Sequence, residues 1–112
     1  MREVHVRTVF DPGEEAGGAM HGVFVEVDNS GEEPDEGIRG LREELAPALR
    51  QLPGFGSAIF LTAHERGSGI GVVTFSSREQ AVQLAQGFAP GANIRPGVTV
   101  LRSELFEVAA TA

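Results

Sequence analysis

The stretch "RQLPGFGSAIFL", residues 50–61, ends one kind of structure and begins another. Ahead of it Ile38, Leu41, Leu45, Leu49 and Leu52 recur at steps of three or four, which lays a single apolar stripe along a helix. Pro53 biases Leu52 away from helical backbone and Gly54 permits a left-handed exit, so the helix is expected to stop at about Gln51. From Ala58 to Leu61 the chain is apolar at consecutive positions. A strand with one wet face would alternate, so this one is expected to be covered on both sides.

The helix is expected to begin near Pro34, with Asp35 as its cap. Pro47 lies inside the pattern and cannot donate to the carbonyl of Glu43, which predicts a kink. Upstream, "GVFVEVD" at 22–28 alternates as a strand. Downstream, residues 57–65 and 70–77 read as a hairpin across Arg66, Gly67, Ser68 and Gly69. Those glycines do not have the G-x-G-x-x-G spacing of a phosphate cradle. A second helix is expected over 78–88, capped by Ser77, with Ala81, Val82, Leu84, Ala85 and Phe88 inward. "APGANIRPG" reads as a turn into a last strand at 98–108.

From residue 22 the order is strand, helix, strand, strand, helix, strand. This is an α+β arrangement of the split βαβ or ferredoxin-like type, an antiparallel sheet with two helices on one face. Ile59, Leu61 and Val72 fall on one parity of the central strands, and Phe60, Val73 and Phe75 on the other. The helices cover one face, and a chain of 112 residues has no second sheet for the opposite one. A second copy of the chain is the natural cover, so a homodimer is expected. Residues 1–19 form an N-terminal extension ahead of the domain at 20–112. In it "EVHVRTVF" alternates with Val4, Val6 and Phe10 on one side, which predicts an extra strand at about 3–10 on a sheet edge.

Composition narrows the function classes. The absence of Cys excludes disulfides, thiolate metal sites and a Cys nucleophile, and suits a reducing compartment. No apolar run reaches a membrane span, and the first residues do not resemble a signal peptide, so a cytoplasmic protein with no membrane partner is expected. Residues 1–44 carry twelve acids against four Arg, a balance of −8, and residues 45–112 balance at +1. Nucleic acid is excluded as a partner because no basic footprint is present to neutralise phosphates. The acidic run 31–36 reads either as a solvated helix start or as a docking site for a basic partner. All nine basic residues are Arg, a usage typical of GC-rich bacterial genomes.

Four segments, "MHGVFVEVD", "LREELAPALRQLPGF", "GIGVVTFSSREQAVQLA" and "GVTVLRSELFEV", together resemble the antibiotic-biosynthesis-monooxygenase-like group of dimeric α+β barrel proteins, especially its short bacterial members. The resemblance covers about 93 of 112 residues and is carried most by a Pro-containing helix that ends in Leu-Pro-Gly-Phe before a strand. It implies a dimeric α+β barrel and a pocket between the helices and the concave sheet. Active members oxidise aromatic substrates without metal or flavin, degrade haem or act on quinols, using Trp, Tyr, Asn and His. In this chain the implied pocket residues are Phe24, Phe60 and Phe75, and Asn29 stands where an active-site Asn would. An Asn in "DNSG" is also a turn residue in its own right.

The remaining candidates come from the residues themselves. His5, His21 and His64 lie on separate strands without metal-ligand spacing, so no metal site and no cofactor is expected. His64, beside Glu65 at a strand end, is a candidate general base, and the simpler reading of each His is a surface or structural one. Arg102 suits an anionic ligand or an ion pair at the dimer edge. No serine has a G-x-S-x-G context. Two function classes remain: a dimeric module that binds a small apolar or aromatic ligand, and a cofactor-independent monooxygenase. The absence of Trp and Tyr favours the first.

Light scattering after size exclusion at low micromolar concentration is expected to return twice the 11.8 kDa of one chain. Leu61→Asp or Val72→Asp should yield monomer or aggregate, and a wild-type mass of one chain overturns the expectation.

Overall fold

The computed structural model describes residues 2–4 and 20–112. The strands are β1 (Arg2–Val4), β2 (His21–Asp28), β3 (Phe55–Ala63), β4 (Ser68–Phe75), β5 (Asn93–Arg95) and β6 (Val98–Glu107). Helix α1 covers 34–50 and helix α2 is Arg78–Gln86. The sheet order is β1-β6-β2-β4-β3, and β5 also pairs with β6. All neighbours are antiparallel except β1 and β6. The result is an α+β fold whose strand order is compatible with the split βαβ arrangement expected from the sequence.

Two short strands share the outer edge of β6. At its start Asn93 pairs with Thr99 and Arg95 with Val98, and further along Arg2 pairs with Glu104 and Val4 with Phe106. β5 lies in the stretch read from sequence as a turn. Of the strand expected at 3–10, Arg2–Val4 is described; residues 5–10, with Val6 and Phe10, lie outside the described residues, as does His5.

Helix α1 changes its winding ahead of Pro47, a feature the expected kink did not specify. It consists of an α segment Pro34–Gly40, a π turn Leu41–Leu45 and a second α segment Ala46–Arg50. Pro47 offers no N–H and its ring crowds the carbonyl of Glu43, so the preceding turn widens and Ala46 N–H reaches back to Leu41. The cap is Glu33 and not Asp35: the Glu33 carboxylate accepts from Glu36 N–H at 2.8 Å, with Pro34 following at the first helical position. The helix ends as expected, with Gly54 at φ 76° before β3. Ser77 caps α2, its hydroxyl accepting from Gln80 N–H at 3.4 Å.

Both helices pack on the sheet face that presents Val23, Val73, Phe75 and Leu105; Leu49 of α1 and Ala81 and Ala85 of α2 join the same core. Phe75 and Leu105 are fully buried, each contributing about 1.5–3 kcal/mol by removal from water. A bulge keeps β6 in phase with this face. Glu26 pairs with Arg102 but Val27 with Val100, so Leu101 is extra, and Val98 and Val100 point inward together with Ser103 and Leu105.

The opposite face is apolar as well. Phe24, Val72 and Ile59 form one cross-strand row, and Ile70 and Leu61 continue it. Ile59 and Leu61 are 57 % and 55 % exposed. Phe106 packs edge-on against Phe24 at 6.5 Å, and the Arg102 guanidinium lies 4.7 Å over the Phe24 ring. Arg102 also approaches Glu26 at 3.6 Å and Glu104 at 3.7 Å, so it has ion-pair partners on this face of its own chain.

The loop after β2 crosses the turn before β6 at backbone distance. A Cβ on Gly31 would stand 2.9 Å from the Cα of Gly97, and one on Gly97, at φ 82°, would overlap the Gly31 carbonyl. Gly97→Ala is expected to cost more than roughly 2 kcal/mol, because left-handed strain of about 1–2 kcal/mol adds to this clash. Gly91→Ala, at φ 88° with nothing within 4 Å, should cost the strain alone. Urea denaturation of both measures the difference, and equal losses would mean that the crossing contributes nothing.

Candidate functional site

Between the helices and the β3–β4 end of the sheet lies a cavity of about 1020 Å³. Its existence follows from side-chain size along β4. The helix-facing residues there are Gly69, Gly71, Val73 and Phe75, so the floor is bare at one end and filled at the other. Ile38, Leu41 and Leu45 of α1 form the roof, and the widened π turn lies among them. Leu84 and Phe88 close one side. At about the upper end of the usual range for ligand pockets of ~300–1,000 Å³, it is largely apolar with a few polar groups at its mouth.

The expected site residues separate into two groups. Phe60, Asn29 and His64 all line the cavity. The Phe60 ring lies across Gly71, where a Cβ would come within 3.0 Å of it. Phe24 is on the opposite face of the sheet, under Arg102, and Phe75 is fully buried against Phe55 in the core. The pocket is therefore not the three-Phe cage expected: parity sends Phe24 outward, and close packing takes Phe75 out of reach.

Asn29 makes a turn with its main chain and reaches the cavity rim with its side chain. Its main chain makes the turn, donating to the Gly67 carbonyl at 3.0 Å and accepting from Glu32 N–H at 3.0 Å. Its side chain lies over Gly69 and donates to Thr62 Oγ1 at 3.3 Å, at the cavity rim. His64 is exposed and opens a short 3-10 turn, its carbonyl accepting from Gly67 N–H at 3.1 Å. Next to Asn29, Asp28 Oδ1 accepts from the Ser30 hydroxyl at 2.6 Å and from Ser30 N–H at 2.9 Å. The hydroxyl bond first and the N–H bond second hold the Asp28 carboxyl below its ordinary value.

One cavity residue, Arg95, escaped the sequence reading, and another, Glu32, was read only as part of the acidic run 31–36. Arg95 of β5 reaches Glu32 at 2.6 Å, and both line the mouth. Glu32 Oε2 is buried and held by charge, outside hydrogen-bonding alignment. Nothing local announces a pair 63 positions apart in the chain; the one available signal was an isolated Arg inside an otherwise turn-like segment. Among the described residues no group of His, Asp or Glu is arranged to hold a metal ion, and no helix is long and apolar enough to cross a membrane.

No protein-family model, curated protein or solved structure matches the chain at a significant level.

Because the Asp28 carboxyl is held low, its contribution to stability is present above the ordinary value of 3.8 and is lost as pH falls through the folded value beneath it. Ser30→Ala removes the leading cause and keeps the N–H bond, so carboxyl NMR titration should find Asp28 titrating at higher pH, with less stability lost on acidification. An unmoved titration would mean that the hydroxyl bond does not form.

Proposed function

We propose that this chain is a small ligand-binding protein of the dimeric α+β barrel type, with a ferredoxin-like core akin to the antibiotic-biosynthesis-monooxygenase-like group, and that it takes an apolar or aromatic molecule into the cavity between helices and sheet. The cavity is the observation that carries this reading: an apolar space of about 1020 Å³ sits where two glycines of β4 leave the sheet uncovered. A packed domain of this size ordinarily fills such space with side chains. The exposed row of Ile59 and Leu61 supports a second copy as cover for the other face.

Cofactor-independent oxygenation is the second reading, favoured by the meeting of Asn29 and His64 at one cavity mouth. Oxygen uptake with a hydroxyquinone separates the two: turnover supports the enzyme, and binding without turnover supports the module.

The cavity itself is tested with the neutral dye Nile red. Ala48 is exposed on α1 and lines the space, so Ala48→Trp should fill it without displacing the core. Dye affinity is expected to fall at least about tenfold, or ~1.4 kcal/mol, with the melting temperature little changed. Dye binding that survives Ala48→Trp unchanged places the dye elsewhere and removes the support for this reading.

A further inference from the structure

Arg95 is the single guanidinium among the described residues that line the cavity, and the fold makes room for it. Its side chain leaves β5 and crosses α1 at Gly40, where any Cβ would overlap the guanidinium. One turn earlier, a Cβ on Gly37 would overlap the Glu32 carboxylate that faces it. Both members of the pair are thus seated against bare helix backbone. Glu32 is 13 % exposed and Arg95 37 %, so the carboxylate is shut in while the guanidinium reaches the opening.

The pairing also leaves donors unused. Glu32 meets Arg95 at Nε, and among the described residues neither terminal nitrogen has a hydrogen-bond partner. A guanidinium has five N–H groups in a rigid fork that matches a carboxylate two at a time. A strut with no other purpose would engage that fork fully. A guanidinium that lines an apolar cavity, is 37 % exposed and has its terminal nitrogens uncommitted is suited to a second oxyanion.

We propose that the cavity binds an amphipathic carboxylic acid, its apolar body between α1 and the sheet and its carboxylate on the terminal nitrogens of Arg95. This deepens the binding role above and rests on it. Arg95 decides the sign of the head group because the rest of the mouth is acidic: Glu32 and the exposed Glu44 both line it. Without the guanidinium those carboxylates repel an anion and leave a neutral head preferred.

The test is displacement of Nile red from the full-length protein by decanoate and by decanol, which share a chain length and differ in the head. With wild type, decanoate should displace the dye at roughly tenfold lower concentration or better, the effect of one charge-assisted bond of about 1.5–3 kcal/mol. Arg95→Gln should erase or invert that ratio, which is read within the one variant and does not depend on how tightly that variant holds the dye. Gly40→Ala keeps the charge but removes its seat, and should lower the ratio in the same direction, giving a second readout if Arg95→Gln folds poorly. A wild type that takes decanol equally well, or a ratio that survives both substitutions, overturns the anchor while leaving dye binding in place. Failure of wild type to bind Nile red at all overturns the cavity reading and the anchor together.

Discussion

On the helix-facing side of β4, residue volume rises from Gly69 and Gly71 through Val73 to Phe75, and the domain is organised around that gradient. Where the strand carries a ring, Val23, Leu105, Ala81 and Ala85 close on it and the interior is fully packed. Where it carries no side chain, the helix above has nothing to rest on and a cavity opens. Packing energy and available volume thus occupy opposite ends of one sheet face. The core end contributes the dispersion and hydrophobic terms that offset chain entropy, and the glycine end is free for recognition.

Helix α1 spans both regimes, and its irregularity follows from that. Leu49, near its end, is buried in the core, whereas Ile38 and Leu41 look into the cavity. Lacking side-chain support there, the first turns are held from outside by the Glu33 cap, by the close crossing of Gly31 and Gly97, and by the Arg95 side chain laid over Gly40. The π turn sits at the junction between the two regimes. Pro47 forces the ladder to re-register at that point, and the extra residue per turn is accommodated beside the open space.

The outer face has a different physics. Its apolar rows are interrupted by the cluster of Glu26, Arg102 and Glu104, with Arg102 lying over Phe24. Two carboxylates share one guanidinium there, and Arg102, by approaching both, lowers the cost of covering the surface while one net negative charge remains in the cluster. The single-residue bulge at Leu101 makes this possible, because it turns Arg102 outward while keeping Val100 and Ser103 inward.

Much of the fold was legible in the chain because it rests on local signals. The 3.6-residue recurrence of Ile38 to Leu49, the Ser77 cap and the Pro53-Gly54 stop each act within a few residues, and the elements they imply are present. The double-sided apolar character of β3 and β4 is likewise a property of consecutive residues. The identity of the cap at Glu33 depended on where Pro34 begins the helix, and the π turn on how the ladder answers Pro47; both were one step beyond the pattern. Of the site, Phe60, Asn29 and His64 were visible as residue types, but which of Phe24, Phe60 and Phe75 meets the cavity was decided by strand parity and by the depth of packing. Arg95 and Glu32 belong wholly to the tertiary structure. They are brought together by β5 pairing with β6 and by the crossing at Gly97, and a contact between segments so far apart in the chain leaves no periodicity for a sequence to display.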